Sequence, residues 1–251
     1  MAVERGNTSD LTQRLDAIYS FISELYPLNW KLRFGGSSYM QSSFQQEEMD
    51  NFLGNQRKFE SVAGHTCMTL IYHQLLIDNF PNLKRVLNQN RVCELILFHD
   101  LRETKRGDVS AVRQLVIDEG FKNDELFDLL KMANLLPPDL ATKILDADKE
   151  CEEPTTVEGL YVKMIDSLQA GHCILTLGDK FVENSVLIET IMRTRSILRA
   201  KKIVDCLKSE SKWDDCKHYA DAVRDVQMLV AYYIDTFRRK GAILDFSDLG
   251  F

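Results

Sequence analysis

Apolar side chains recur in steps of three and four along most of the chain, the period of a helix that buries one face. Leu11, Leu15, Ile18, Ile22 and Leu25 form the first such stripe. Thr8, Ser9 and Asp10 precede it as capping residues, and Pro27 marks its end. Dense helical patterns follow over 62–79, 91–102, 109–119, 124–132 and 139–148, with Pro137 and Pro138 separating the last two. Thr155 or Thr156 can cap a helix running to about Leu177, and two further helices are predicted over 184–207 and 213–240. In the last, Cys216, Tyr219, Val223, Val226, Val230, Tyr233 and Phe237 advance in near-heptad steps, a stripe that faces a core. The period is lost between 31 and 58, where Gly35, Gly36 and several serines mix with Phe34, Tyr39, Met40 and Phe44. That stretch reads as a long loop with a short helix around 46–53, and such loops in compact domains cover or shape a site.

Neither a fixed-period repeat nor a low-complexity linker interrupts these patterns, so a single all-α domain is expected. Its parts are an N-terminal helix and loop (1–56), a helical core (57–175) and C-terminal helices completing the same domain (176–251). Composition agrees. Only 12 glycines and 5 prolines occur in 251 residues, well under average usage, and all-β folds need more turns than that supplies. The formal net charge of −7 argues against broad contact with nucleic acid or anionic lipid, so a phosphate-bearing ligand has to be met locally. The six cysteines (Cys67, Cys93, Cys151, Cys173, Cys206, Cys216) form no CxxC pair and read as buried free thiols. No apolar run reaches membrane-span length and the first residues lack a signal core, so a cytoplasmic protein is expected.

Two helical patterns carry polar residues where apolar ones belong. In Val92-Cys93-Glu94-Leu95-Ile96-Leu97-Phe98-His99-Asp100-Leu101, apolar residues point almost all round the axis, which buries His99 and Asp100 within a central helix. In the helix ending at Leu177, Asp166 shares a face with Val162, Ala170 and Cys173. A buried carboxylate is costly unless paired or bound to a cation. Adjacent helical residues diverge by about 100°, so His99 and Asp100 can share one ion only if other helices complete its shell. His65 and Asp166 are the natural partners. Two imidazoles and two carboxylates suit a first-row divalent ion with positions left for water or a phosphate oxygen. Glu103 follows Asp100 by three residues, on a neighbouring face, and Gly107 can turn Asp108 back toward the same helix end.

At these residues the chain resembles the HD-domain phosphohydrolase superfamily, in particular its small 5′-deoxynucleotidase-like branch. The matching text is Glu60-Ser61-Val62-Ala63-Gly64-His65, Leu97-Phe98-His99-Asp100-Leu101-Arg102-Glu103, Arg106-Gly107-Asp108-Val109 and Val162-Lys163-Met164-Ile165-Asp166. The resemblance implies a helical HD-domain bundle with one divalent metal (Mn, Co, Mg, Zn or Fe) held by His65, His99, Asp100 and Asp166. It implies that Glu103 and Asp108 serve the attacking water, and that a basic residue ahead of the first His, Arg57 or Lys58 with Arg33 a weaker candidate, contacts the phosphate. The sequence departs from the family at Gly64, where an acidic residue is frequent, and at Arg102, where the nucleotidases commonly have proline.

The resulting expectation is a metal-dependent phosphohydrolase that removes the 5′-phosphate from (deoxy)nucleoside monophosphates, its partner a small-molecule nucleotide. Two alternatives share the same residues: a deoxynucleoside triphosphate triphosphohydrolase, and a non-catalytic helical protein that binds metal or nucleotide. Other features take plainer readings. Arg193, Arg195, Arg199, Lys201 and Lys202 form a basic stretch expected on a solvated or salt-bridged face, with a triphosphate or nucleic-acid contact as the alternative. His73 and His172 are read as structural. The final helix can pack within the domain or pair with a second subunit as a homodimer.

Overall fold

The computed structural model describes residues 6–29, 31, 60–108, 119–177, 191–210 and 216–239. Helices dominate and no strand occurs among these residues, so the all-α expectation is met. The expected short helix at 46–53, the helix at 109–119, and Arg33, Arg57 and Lys58 lie outside the described residues.

Helix α1 (Gly6–Leu25) leads into a 3₁₀ turn (Tyr26–Asn29). Helix α2 (Val62–Ile77) starts at Ser61, whose hydroxyl accepts the Gly64 N–H and so satisfies one orphan donor of the first turn. A short α3 (Pro81–Val86), not anticipated from the pattern, has proline in its first turn, and its buried Asp225 partner accepts the N–H groups of Asn82 and Leu83. Helix α4 (Gln89–Phe98) is capped by Asn88 through the Arg91 N–H. The single-turn α5 (Glu103–Arg106), α6 (Glu119–Ala133), α7 (Pro138–Glu152) and α8 (Val157–Leu177) follow. A π-helical segment (Ile191–Ile197) then runs into α9 (Leu198–Glu210), and α10 (Cys216–Arg239) closes the described chain.

The helix expected over 91–102 is corrected. It stops at Phe98, and residues 99–102 form turns. Side chains take backbone carbonyls on both sides of the turn: the His99 ring bonds to the Ile96 carbonyl of the helix, and the Thr104 hydroxyl of the next helical turn donates to the Leu101 carbonyl. Leu101 N–H to Phe98 and Glu103 N–H to Asp100 are likewise the tighter three-residue bonds of a turn.

Two apolar clusters hold the helices. The larger joins α2, α3, α4, α8, α9 and α10 around Leu95, Tyr161, Met164, Ile165, Val230 and Phe237. The stripe on α10 is confirmed by the burial of Val226, Val230, Tyr233 and Phe237. The smaller joins α1, α6 and α7 around Phe21, Leu129, Met132 and Ile144. Phe98 packs against both, so the turn that follows it lies where the clusters meet. The cysteine expectation holds only in part: Cys67, Cys93, Cys151, Cys173 and Cys206 are free, but Cys151 alone of these is buried and Cys67 is exposed.

Candidate metal centre

Four side chains from three parts of the chain converge beside that turn. His65 lies in the first turn of α2, His99 and Asp100 follow α4, and Asp166 is midway along α8. All four are buried. Donor atoms of His65, His99 and Asp100 lie within 4.8 Å of one another. Asp166 joins them, with Oδ1 at 3.0 Å from His65 Nε2 and 4.0 Å from His99 Nε2. Asp100 Oδ2 is 3.1 Å from His99 Nε2 and 3.7 Å from His65 Nε2. Two ligands each about 2.1 Å from one ion are about 3 Å apart at a right angle and about 4.2 Å apart when opposed, and these separations fall in that range.

The hydrogen bonds fix which nitrogen faces the cluster. His99 Nδ1 is 2.7 Å from the Ile96 carbonyl, which can only accept, so this nitrogen carries the proton. His65 Nδ1 is 2.5 Å from Gln169 Oε1, and the Gln169 amide nitrogen donates to Glu60 at 2.7 Å, which orients the amide and makes His65 Nδ1 a donor too. In the neutral rings both Nε2 atoms then present lone pairs to carboxylate oxygens. Lone pairs facing anions repel, so the cluster requires positive charge among its atoms: either a second proton on each ring or a cation. One divalent ion balances two carboxylates and satisfies both rings at once, and the donor set fits it. Gln169, Glu60 and the Ile96 carbonyl thus act as outer partners that aim the imidazoles. Sequence reasoning assigned them no role, although Gln169, a polar residue three positions past Asp166 in an apolar helix, was a visible signal.

Glu103 opens α5, its N–H bonded to the Asp100 carbonyl at 3.0 Å. Its own carbonyl accepts the Gly107 N–H at 2.7 Å. Gly107 has φ +81°, a left-handed conformation that side chains resist, and the next residue, Asp108, is buried. Arg102, the departure from the proline common in the nucleotidases, forms a bidentate pair with buried Asp148 of α7 at 2.5 and 2.6 Å. Burial works against that guanidinium's charge, but the Asp148 bonds prevail and raise its pKa. This pair ties the turn to α7. Gly64, the other departure, leaves room for the Ser61 cap: an added Cβ would lie 3.1 Å from its hydroxyl oxygen.

His73 and His172 stand apart from the cluster. His73 is buried with Nδ1 at 3.2 Å from the Tyr161 hydroxyl, and burial pushes its pKa down to about 4. His172 bonds the Tyr72 hydroxyl. The basic stretch is corrected at Arg199, which does not lie on a solvated face but is half-buried against α8.

A family model described as an HD domain matches residues 50–199, so the chain belongs to the HD domain family. The 5′-deoxynucleotidase HDDC2 of Xenopus laevis is 29% identical over 112 residues, covering 45% of this chain and 52% of that protein. The Homo sapiens protein of the same name is 25% identical over 115 residues, 46% and 53% of the two chains. The chain therefore spans about half the length of the curated relatives it matches. A solved structure titled as a predicted metal-dependent phosphohydrolase from Magnetospirillum magnetotacticum MS-1 aligns with a TM-score of 0.58 at 18% identity, over 93% of this chain and 97% of that one, a likeness of fold.

Proposed function

We propose that this protein is a metal-dependent phosphohydrolase that removes the 5′-phosphate from deoxynucleoside monophosphates. The observation that carries the reading is the convergence of the Nε2 atoms of His65 and His99 and two carboxylates, with both Nδ1 atoms bonded to acceptors on the far side. His65, His99, Asp100 and Asp166 are the proposed ligands of one divalent ion. When bound, such an ion neutralises phosphate oxygens and lowers the pKa of a water in its shell. The names of the HDDC2 relatives favour a monophosphate over a triphosphate substrate.

In this reading Glu103 orients the attacking water and accepts its proton, because it directly follows the turn that carries Asp100 and its N–H bonds the Asp100 carbonyl. Asp108, brought round by Gly107, donates a proton to the departing nucleoside 5′-oxygen. Arg57 or Lys58, ahead of the first histidine, holds the phosphate by charge-assisted hydrogen bonds. His65 and His99 keep their Nδ1 protons throughout, since their acceptors are an amide oxygen and a backbone carbonyl.

The test is a hydrolysis screen over nucleoside mono- and triphosphates with Mn²⁺, Co²⁺, Mg²⁺, Zn²⁺ and Fe²⁺ supplied separately. Inorganic phosphate released from deoxynucleoside monophosphates is the expected product. Release of tripolyphosphate would replace the proposed substrate with a triphosphate, and no turnover with any metal would overturn the enzymatic reading.

A further inference from the structure

Several arginines among the described residues are paired with carboxylates. Arg91 bonds Glu150 and Glu94, Arg102 bonds Asp148, and Arg106 bonds Asp124 and Asp128. Arg199 differs. Its Nη1 donates to the Lys163 backbone carbonyl at 2.5 Å and the Ser167 hydroxyl at 2.6 Å, both neutral acceptors. No carboxylate among the described residues lies within ion-pairing distance of it. Lys163, the nearest other cation on α8, is occupied by Glu152 at 3.4 Å.

The location matters as much as the missing anion. Lys163 and Ser167 bracket Asp166 on α8, so the guanidinium is held over the turn that supplies one proposed ligand. Burial lowers the Arg199 pKa to about 10, the charge of Asp166 opposes that shift, and Arg195 on the π-helical segment adds to it. The guanidinium remains charged at neutral pH. A cation held in a poorly hydrated place on neutral acceptors, with the charges of Asp166 and Glu152 acting on it only from beyond ion-pairing distance, is costly, and an arriving anion reduces that cost. Its planar fork, with one nitrogen used by the helix, retains donors suited to phosphate oxygens.

We propose that Arg199 binds the substrate's phosphate group, its guanidinium held by the Lys163 carbonyl and the Ser167 hydroxyl on the helical turn that carries Asp166. The inference rests on the phosphohydrolase reading and adds to it a phosphate contact that lies over a hundred residues beyond Arg57 and Lys58 in the chain. Arg199 touches the phosphate and takes no part in proton transfer.

The experiment is calorimetric titration of the full-length, metal-loaded protein with inorganic phosphate, comparing wild type with Arg199→Lys and Arg199→Met. Melting temperature and metal content are recorded for each. Wild type is expected to bind phosphate, and loss of one charge-assisted bidentate contact to weaken binding by about 10- to 100-fold in Arg199→Met, with a smaller loss in Arg199→Lys. In turnover the same variants should raise KM for the phosphate ester more than they lower kcat. Unchanged phosphate affinity in folded, metal-loaded variants would overturn the proposal and make Arg199 a clamp on α8, while leaving the hydrolase reading intact. Failure of wild type to bind phosphate would overturn it as well. If only the lysine variant folds, its affinity decides. Absence of turnover in wild type with every metal is a separate result that strikes the functional reading itself.

Discussion

Helix α8 and the segment from His99 to Asp108 deliver ligands to the same cluster by opposite means. Asp166 sits midway along a 21-residue helix, so its position is set by the packing of that whole helix against α2, α4 and the π-helical segment. His99 and Asp100 sit where a helix has ended, and their positions are set by local bonds, from the His99 ring to the Ile96 carbonyl and from the Glu103 N–H to the Asp100 carbonyl, and by one long-range pair next to them, Arg102 with Asp148. Even the glycines differ in kind. Gly171 of α8 has no room for a side chain, because an added Cβ would lie 2.5 Å from Phe237 Cζ. Gly107 has room, with Lys31 Cδ 3.6 Å from such a Cβ, but its φ of +81° is the constraint. A mid-helix ligand is thus vulnerable through the core, and a turn ligand through its own hydrogen bonds.

The largest effects should come from the turn. Asp100→Ala is expected to abolish stoichiometric metal binding and with it activity, as read by metal analysis after dialysis; full metal content in that variant would exclude Asp100 from the ligand set. Glu103→Gln should leave metal content intact and lower kcat by about 10²- to 10⁴-fold, which separates a residue serving the water from one holding the ion. Activity at the wild-type level would remove Glu103 from the mechanism.

Arg102→Ala tests the long-range tie. It leaves the Asp148 carboxylate, only 3% exposed, without its partner, and should cost about 3–5 kcal/mol by chemical denaturation. A loss below about 1 kcal/mol would mean that the turn does not depend on α7.

The pH response belongs to the α2–α8 side. His73, buried against Tyr161 of α8, has a folded pKa depressed from 6.5 to about 4, chiefly by desolvation. A depressed histidine contributes stability that is present above pH 6.5 and lost as pH falls toward about 4, because the unfolded chain takes up the proton first. The melting-temperature gap between wild type and His73→Gln should narrow over that interval. A gap independent of pH would show that His73 is not held neutral by the fold.

The two glycines give the smallest and most diagnostic pair. Gly171→Ala should cost about 1–3 kcal/mol through overpacking against fully buried Phe237, and a simultaneous Phe237→Leu should recover part of it. Gly107→Ala should cost about 1–2 kcal/mol through backbone strain that no partner substitution relieves. Recovery in both, or in neither, would erase the distinction between them.

Much of the architecture was legible from periodicity. The stripe of α10 and the helices α1 and α8 were read correctly because their apolar steps run long enough to leave one solution, but the face of α1 was not: Leu11, Leu15 and Ile22 are exposed and Phe21, outside the stripe, is buried. The His-Asp text and Asp166 were legible for a different reason: ionisable groups inside apolar runs are conspicuous. Burial of the cysteines was overstated, since helical spacing places a residue on a face but does not say how much of that face is covered. The run from Arg91 to Arg102 was misread as one helix, because side-chain bonds to carbonyls end a helix without changing its apolar pattern.

The sequence by itself determined the helical class, the four candidate ligands and the glycine that turns Asp108. What only the tertiary structure decided was the set of partners around them. Gln169 bonds His65 across 104 residues, Arg102 bonds Asp148 across 46, and Arg199 reaches Lys163 across 36. Helix periodicity carries information over a few turns, whereas a hydrogen bond between distant helices depends on how those helices pack. For that reason the direction of each imidazole, and the arginine left facing neutral acceptors, became visible only in three dimensions.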